Sequence, residues 1–250
     1  MKYFWDFDPT AFSVFGLEVR WYGLAYLFAF FLATKITPKI LEKSGEKISK
    51  KTFENLVFGA FFCGIIGGRI GHFLFFYPAV FVNDFAEIFK IWHGGMSIHG
   101  GILGATAFLF FFAKQKNLHF LKILDALVIP LSIGLFLGRI ANFVNGELVG
   151  IPTASQNWGV VFPHIDALFR HPSQLYDAAR NLVLVGVLYF LFRKNWIATR
   201  GKLTAAFLVL YGVSRFITEF WREPPEISPG QILCGIMFFL GVALFLKTKK

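Results

Sequence analysis

Gly138-Arg139-Ile140-Ala141-Asn142-Phe143-Val144-Asn145-Gly146-Glu147-Leu148-Val149-Gly150 closes a long apolar segment with an arginine, two asparagines and a glutamate. A charge deep in hydrocarbon costs ~2.5–3.5 kcal/mol on insertion scales. Polar groups in such a place are paired inside a helical bundle and tied to a function. The stretch thus implies a membrane-grade helix before it and a candidate site at its end.

The rest of the chain agrees with a membrane setting. Of its 250 residues, 56% are hydrophobic and 16% charged, and the mean hydropathy is +0.59. A soluble domain is about 45–50% apolar and about 25% charged. The net charge of +10 would suit nucleic acid, but the basic residues gather between apolar runs, as orientation signals do. Cys63 and Cys234 both lie in apolar runs, which predicts buried small hydrophobes rather than a disulfide or a metal site. Residues 1–20 hold Asp6, Asp8 and Glu18 and lack a basic region ahead of an apolar stretch, so no cleavable signal peptide is expected.

Seven apolar runs are visible, at 21–38, 53–77, 96–113, 123–146, 172–192, 203–221 and 231–246. Each approaches the ~20 residues that cross ~30 Å of hydrocarbon as a helix, and none shows the alternation of barrel strands. The expected fold is all-α and polytopic, one integral-membrane domain over residues 1–250 with seven transmembrane helices. Lys35, Lys39, Lys43, Lys47, Lys50 and Lys51 follow the first run. Lys114, Lys116 and Lys122, then Arg193, Lys194, Arg200 and Lys202, and finally Lys247, Lys249 and Lys250 fall on the same side. The other side holds Lys2, Arg20, Lys90, Arg170 and Arg222. The positive-inside rule then puts the N-terminus in the periplasm and the C-terminus in the cytoplasm. Arg69, Arg139, Arg180 and Arg215 remain, within or near the ends of the runs. On the outer side, Phe81, Phe85, Ile88, Phe89 and Trp92 fit one face of an interfacial amphipathic helix; an ordinary loop is the alternative.

Four stretches besides packing motifs hold chemistry. Arg139, Asn142 and Asn145 or Gly146 follow a spacing that puts them on one helical face. Arginine offers a planar fork suited to phosphate oxygens, and Glu147 is placed to pair with an arginine. The alternative is a salt-bridge network holding the bundle. Tyr211, Arg215, Glu219 and Arg222 recur on one face near the outer end of the sixth run, with a Glu219–Arg215 or Glu219–Arg222 pair expected. His99, within His93-Gly94-Gly95-Met96-Ser97-Ile98-His99-Gly100-Gly101, is a candidate general base or a hydrogen-bonded structural group. His171-Pro172-Ser173-Gln174-Leu175-Tyr176 reads as a helix start. Gly64, Gly67, Gly68 and Gly71 predict close helix packing, with Arg69 and His72 beside them. No nucleotide, metal or catalytic-triad signature is present, so no cofactor and no metal are expected. The polar vocabulary suits an anionic phospholipid handled at the outer leaflet. A transporter would place binding groups at the midplane in repeated halves, and the chain shows neither; another headgroup transferase would use the same arginines.

The stretch 138–150 resembles the signature of the bacterial prolipoprotein diacylglyceryl transferases. The likeness extends to Trp21-Tyr22-Gly23-Leu24, Gly67-Gly68-Arg69-Ile70-Gly71, the run at 94–101, residues 171–176 and residues 211–224. Ala141 departs from it, standing where many members have glycine. The resemblance implies transfer of an sn-1,2-diacylglyceryl group from phosphatidylglycerol to the lipobox cysteine thiol of a prolipoprotein, with glycerol phosphate released. This is the first step of lipoprotein maturation, in the bacterial inner membrane with the active site toward the outer leaflet. It implies His99, Arg139 and Arg215 as catalytic residues. Tyr22, Asn142, Asn145, Glu147, Gly150 and Tyr211 are implied as substrate-binding ones. The implied partners are phosphatidylglycerol, the prolipoprotein and membrane lipids, not nucleic acid.

Overall fold

A computed structural model describes residues 4–14, 17–90, 93–155, 157–222 and 228–248. Trp92, Glu223, Pro224, Lys2, Lys249 and Lys250, used in the sequence reading, lie outside them. In chain order the elements are β1 (Thr10–Val14), β2 (Leu17–Arg20), α1 (Trp21–Lys43), α2 (Lys50–Phe76) and α3 (Val80–Asn83). A 3-10 turn at Phe85–Phe89 precedes α4 (Ile98–Gln115) and α5 (Phe120–Val144). There follow β3 (Val160–Val161), β4 (Phe169–Arg170), α6 (Ser173–Arg193), a 3-10 turn at Trp196–Ala198, α7 (Lys202–Glu219) and α8 (Pro229–Lys247). Every apolar run is a helix. By length and composition, α1, α2, α5, α6 and most of α8 are able to cross a membrane. The helices α4 and α7 have 18 residues each and hold His99 and Lys114 in one, Lys202, Arg215 and Glu219 in the other.

Two differences from the sequence reading concern the first run and the outer loops. The first helix does not stop near Pro38 but continues to Lys43. Lys35, Lys39 and Lys43 therefore sit on α1, Lys50 and Lys51 open α2, and of that basic group only Lys47 is in the connecting loop. A proline inside a helix costs ~3 kcal/mol. Burial of Ile40 and Leu41, 4% and 1% exposed, is worth roughly 1.5–3 kcal/mol each and offsets it. Lys43 Nζ also lies 4.4 Å from the Phe192 ring centroid. The outer loops hold short antiparallel ribbons, β1–β2 and β3–β4, which hydropathy does not mark.

The chain forms two compact units, Met1–Ser44 with Leu124–Lys250, and Gly45–Ile123. Within the second, α2 packs against α4. A β-carbon on Gly67 or Gly100 would overlap the other residue's carbonyl oxygen, so the backbones touch as small-residue stripes allow. Arg69, 4% exposed, gives its guanidinium to backbone carbonyls. It bonds Ile88 O at 3.0 Å, Glu87 O at 2.7 Å, Lys90 O at 2.8 Å, Gly95 O at 3.2 Å and Gly94 O. It thus fastens the loop before α4. Phe81, Phe85, Ile88 and Phe89 line one apolar cavity of about 250 Å³ with α2. They share a face as expected, but on α3 and a 3-10 turn rather than on one continuous helix. His93 and Lys90 hold the Glu87 carboxyl below its usual range.

In the first unit, α5 and α7 are pinned by Asp125, fully buried on α5. Its carboxylate accepts Gly201 N–H at 2.6 Å, Thr204 N–H at 2.7 Å and the Thr204 hydroxyl at 2.7 Å. Gly201 is the N-cap of α7 and Thr204 lies in its first turn; α7 has no side-chain cap of its own, so a carboxylate from α5 does the capping. Arg139 lies 14 residues further along α5, ~21 Å at 1.5 Å per residue.

Candidate functional site

The end of α5 is a Schellman cap. Glu147 N–H donates to Asn142 O at 2.9 Å, and Gly146 N–H to Phe143 O at 3.0 Å. Gly146 takes φ +66°, the left-handed value this cap requires. Asn145 directly follows Val144, the last residue of α5, and its N–H still donates to Ala141 O at 2.9 Å. The cap turns the chain so that Asn142 Nδ2 and Asn145 Nδ2 donate to the Glu147 carboxylate, at 3.3 and 3.2 Å. The expected arginine partner of Glu147 is not found: among the described residues no arginine is within ion-pairing distance of it.

Residues 171–176 lock this turn in place. Gln174 Nε2 donates to Glu147 O at 2.7 Å, and Ser173 Oγ to Leu148 O at 3.0 Å. Gly150 N–H donates to His171 O at 2.9 Å, and Ile151 N–H to Trp221 O at 3.0 Å. A β-carbon on Gly150 would collide with the carbonyls of His171 and Trp221; only glycine admits all three strands of chain here. Three of the sequence motifs thus converge at one end of the unit. Arg170 braces the loop, donating to Gly150 O at 3.0 Å and to Asp166, whose carboxyl it holds below the usual range.

The centre of the site is Asp177, a residue the sequence reading did not single out. It is 2% exposed, on the face of α6 that buries Ser173, Gln174, Asp177 and Asn181 before continuing as Leu184 and Leu188. Three arginines share its carboxylate: Arg180 Nε at 2.7 Å, Arg139 Nε at 3.3 Å and Arg215 Nη1 at 3.4 Å. Thr218 Oγ1 donates to it at 2.7 Å. Arg215 also pairs with Glu219, as the i, i+4 spacing predicts. Glu219, 2% exposed, accepts a bond from Ser228 Oγ at 3.2 Å. Ser228 is the N-cap of α8, so a helix N-terminus faces the carboxylate, a favourable arrangement.

Around this core, Tyr211 stacks on Arg180, guanidinium carbon to ring centroid 4.7 Å. Half-buried Arg222 feels the charges of Arg215, Arg139, Glu219 and Asp177 and is closer to the cluster than a rim residue. Tyr22 bonds Tyr26, hydroxyl to hydroxyl, at 2.9 Å and lies within electrostatic range of Glu147 and Arg139. His99 belongs to the other unit, exposed in the first turn of α4, which Ser97 caps. Asp177, Arg180, Thr218 and Asp125 are the residues that motif reading passes over. The signal for both aspartates is an acidic residue inside an apolar run, which is costly enough to require a partner.

Chemically the cluster is able to hold an anion. Arg139, Arg180 and Arg215 outnumber Asp177 and Glu219, and a buried excess cation calls for a counter-charge. Both terminal nitrogens of Arg180 and both amide atoms of Asn181 are buried without a hydrogen-bond partner, each costing about 1–3 kcal/mol if left so.

Comparison with known proteins places this geometry in context. The family profile described as prolipoprotein diacylglyceryl transferase matches residues 9–247. Phosphatidylglycerol–prolipoprotein diacylglyceryl transferase of Rickettsia bellii (strain OSU 85-389) is 40% identical over 98% of this chain and 96% of its own. The enzymes of the same name from Aeromonas hydrophila and Idiomarina loihiensis are also each 40% identical. They cover 96% and 99% of this chain and 91% and 96% of their own.

Proposed function

The chain belongs to the prolipoprotein diacylglyceryl transferase family, and on that premise we propose that the arginine cluster around Asp177 binds the phosphate of its lipid donor. The activity is transfer of an sn-1,2-diacylglyceryl group from phosphatidylglycerol to a prolipoprotein in lipoprotein biosynthesis. The acceptor is the thiol of the lipobox cysteine. Its thiolate sulfur bonds the glyceryl carbon as that carbon's C–O bond to phosphate breaks. A thioether forms, and glycerol phosphate leaves with the oxygen and the electron pair of the broken bond. Charge on the phosphate rises from one to two until it takes up the proton the thiol gave. A preorganised set of arginines favours that growth of charge, and removing one such donor costs ~10²–10³ in rate.

Arg139 and Arg215 grip the phosphate, while Asn142 and Tyr22 orient the glycerol. Asn145, Glu147 and Gly150 shape the turn beside them, and Tyr211 packs against a neighbouring arginine. His99 is assigned as base for the thiol on the chemistry of its imidazole. The protein works as one integral domain of the bacterial inner membrane. Its seven long helices cross the bilayer, with the N-terminus periplasmic, the C-terminus cytoplasmic and the site toward the outer leaflet. The single observation carrying this reading is the convergence of Arg139, Arg180 and Arg215 on one buried carboxylate with positive charge to spare. The test is incubation of the purified protein with phosphatidylglycerol and a lipobox peptide, following glycerol phosphate release. Release is expected with the cysteine peptide and not with its Cys→Ser counterpart, and phosphatidylethanolamine should give little. Equal release with both peptides, or with both lipids, would refute it.

A further inference from the structure

Arg180 enters the proposed function only as one of the three arginines on Asp177, with the grip on phosphate given to Arg139 and Arg215. It lies on α6 with its side chain 8% exposed, and it meets Asp177 through Nε alone, at 2.7 Å. Arginines that serve only as struts commonly present two N–H groups to a carboxylate, fork to fork. Here the two terminal nitrogens are buried and have no hydrogen-bond partner. The Tyr211 ring centroid lies 4.7 Å from the guanidinium carbon, so the ring packs against this group. The neighbouring Asn181 is fully buried with both amide atoms likewise unpartnered. Two buried, unpartnered donors of one guanidinium, beside Arg139 and Arg215 on the same carboxylate, are hydrogen-bonding capacity that an anion entering the cluster would meet. The charge fits as well. Arg139, Arg180 and Arg215, with Arg222 beside them, outnumber Asp177 and Glu219, so the cluster carries positive charge for a phosphodiester to offset.

We propose that Arg180 is a third phosphate ligand, binding the non-bridging oxygens of the phosphodiester through both terminal nitrogens alongside Arg139 and Arg215. The proposal rests on the donor-site reading above. It makes Arg180 a binding residue selective for a phosphate-bearing lipid over the same diacylglycerol without phosphate.

The test measures affinity of the purified full-length protein in detergent for dioctanoylphosphatidylglycerol and for dioctanoylglycerol, in wild type, Arg180→Gln and Arg180→Lys. Arg193→Gln, at the far end of α6, is the control. Loss of charge-assisted hydrogen bonds should weaken phosphatidylglycerol binding by about 10- to 100-fold in Arg180→Gln. Arg180→Lys should fall between, keeping the charge and losing the fork, with dioctanoylglycerol affinity unchanged in both. If both variants bind phosphatidylglycerol like wild type, or lose the two lipids equally as their melting temperature falls, Arg180 is a strut and the proposal is overturned. If Arg180→Gln does not fold, Arg180→Lys decides by the same criterion. If wild type itself does not prefer phosphatidylglycerol, the donor-site reading has failed, and the proposal with it; that outcome is visible before any variant is compared.

Discussion

Gly146 and Asp177 show what a single residue does here and how differently the two read from sequence. Gly146 lies in a motif whose turn chemistry is local, and its φ of +66° follows from its place after a helix end. A side chain there pays the left-handed penalty of ~1–2 kcal/mol and meets the His164 ring. Gly146→Ala should therefore lower the melting temperature in detergent, with a loss of at least ~1 kcal/mol; an unchanged melting curve would contradict the cap. Asp177 was hidden because two of its three arginine partners, Arg139 and Arg215, are each 38 residues away, and nothing local announces those two. Arg180 could be seen as a charge without a loop, but its meaning needed Asp177. His99 makes a second prediction at this scale. If it is the base, His99→Gln should depress transfer, and raising pH toward the thiol's own pKa of ~8.5 should partly restore it. Wild-type activity across the pH range would remove that role.

At the scale of elements, hydropathy found every long helix, because crossing hydrocarbon demands about 20 apolar residues whatever their contacts. It misjudged ends where burial outweighs local preference, as at Pro38, and could not mark the ribbons of a few residues. It also could not pair helices. Asp125 ties α5 to the start of α7, holding in one register the two helices whose other ends carry Arg139 and Arg215. Asp125→Ala should leave buried N–H groups of α7 unmet, at about 1–3 kcal/mol each. The expected result is a clear fall in melting temperature, partly recovered by Asp125→Asn, which keeps one accepting oxygen. A stable Asp125→Ala protein would mean α7 is capped otherwise.

For the whole molecule, the charge asymmetry predicts topology even though several of the lysines sit on helix ends rather than in loops. In a background with Cys63 and Cys234 replaced by serine, Lys43→Cys should resist an impermeant maleimide in intact spheroplasts, and His164→Cys should react. Labelling at position 43 would reverse the orientation. The family and its reaction were legible because the site is built from contiguous motifs. The electrostatic centre joining those motifs was not, since it exists only once α5, α6 and α7 are together. That centre admits two readings, a clamp on lipid phosphate or a salt-bridge network that only holds helices. Lysine separates them, because it keeps the charge and loses the bidentate fork. The deciding measurement is specific transferase activity beside detergent melting temperature for Arg139→Lys, Arg215→Lys, their alanine counterparts and Arg222→Ala. The account predicts lysine variants that fold and melt near wild type yet lose most activity, on the order of 10²-fold or more. Alanine should be worse at both positions, and Arg222→Ala milder. Normal specific activity in a destabilised Arg139→Ala protein would contradict it.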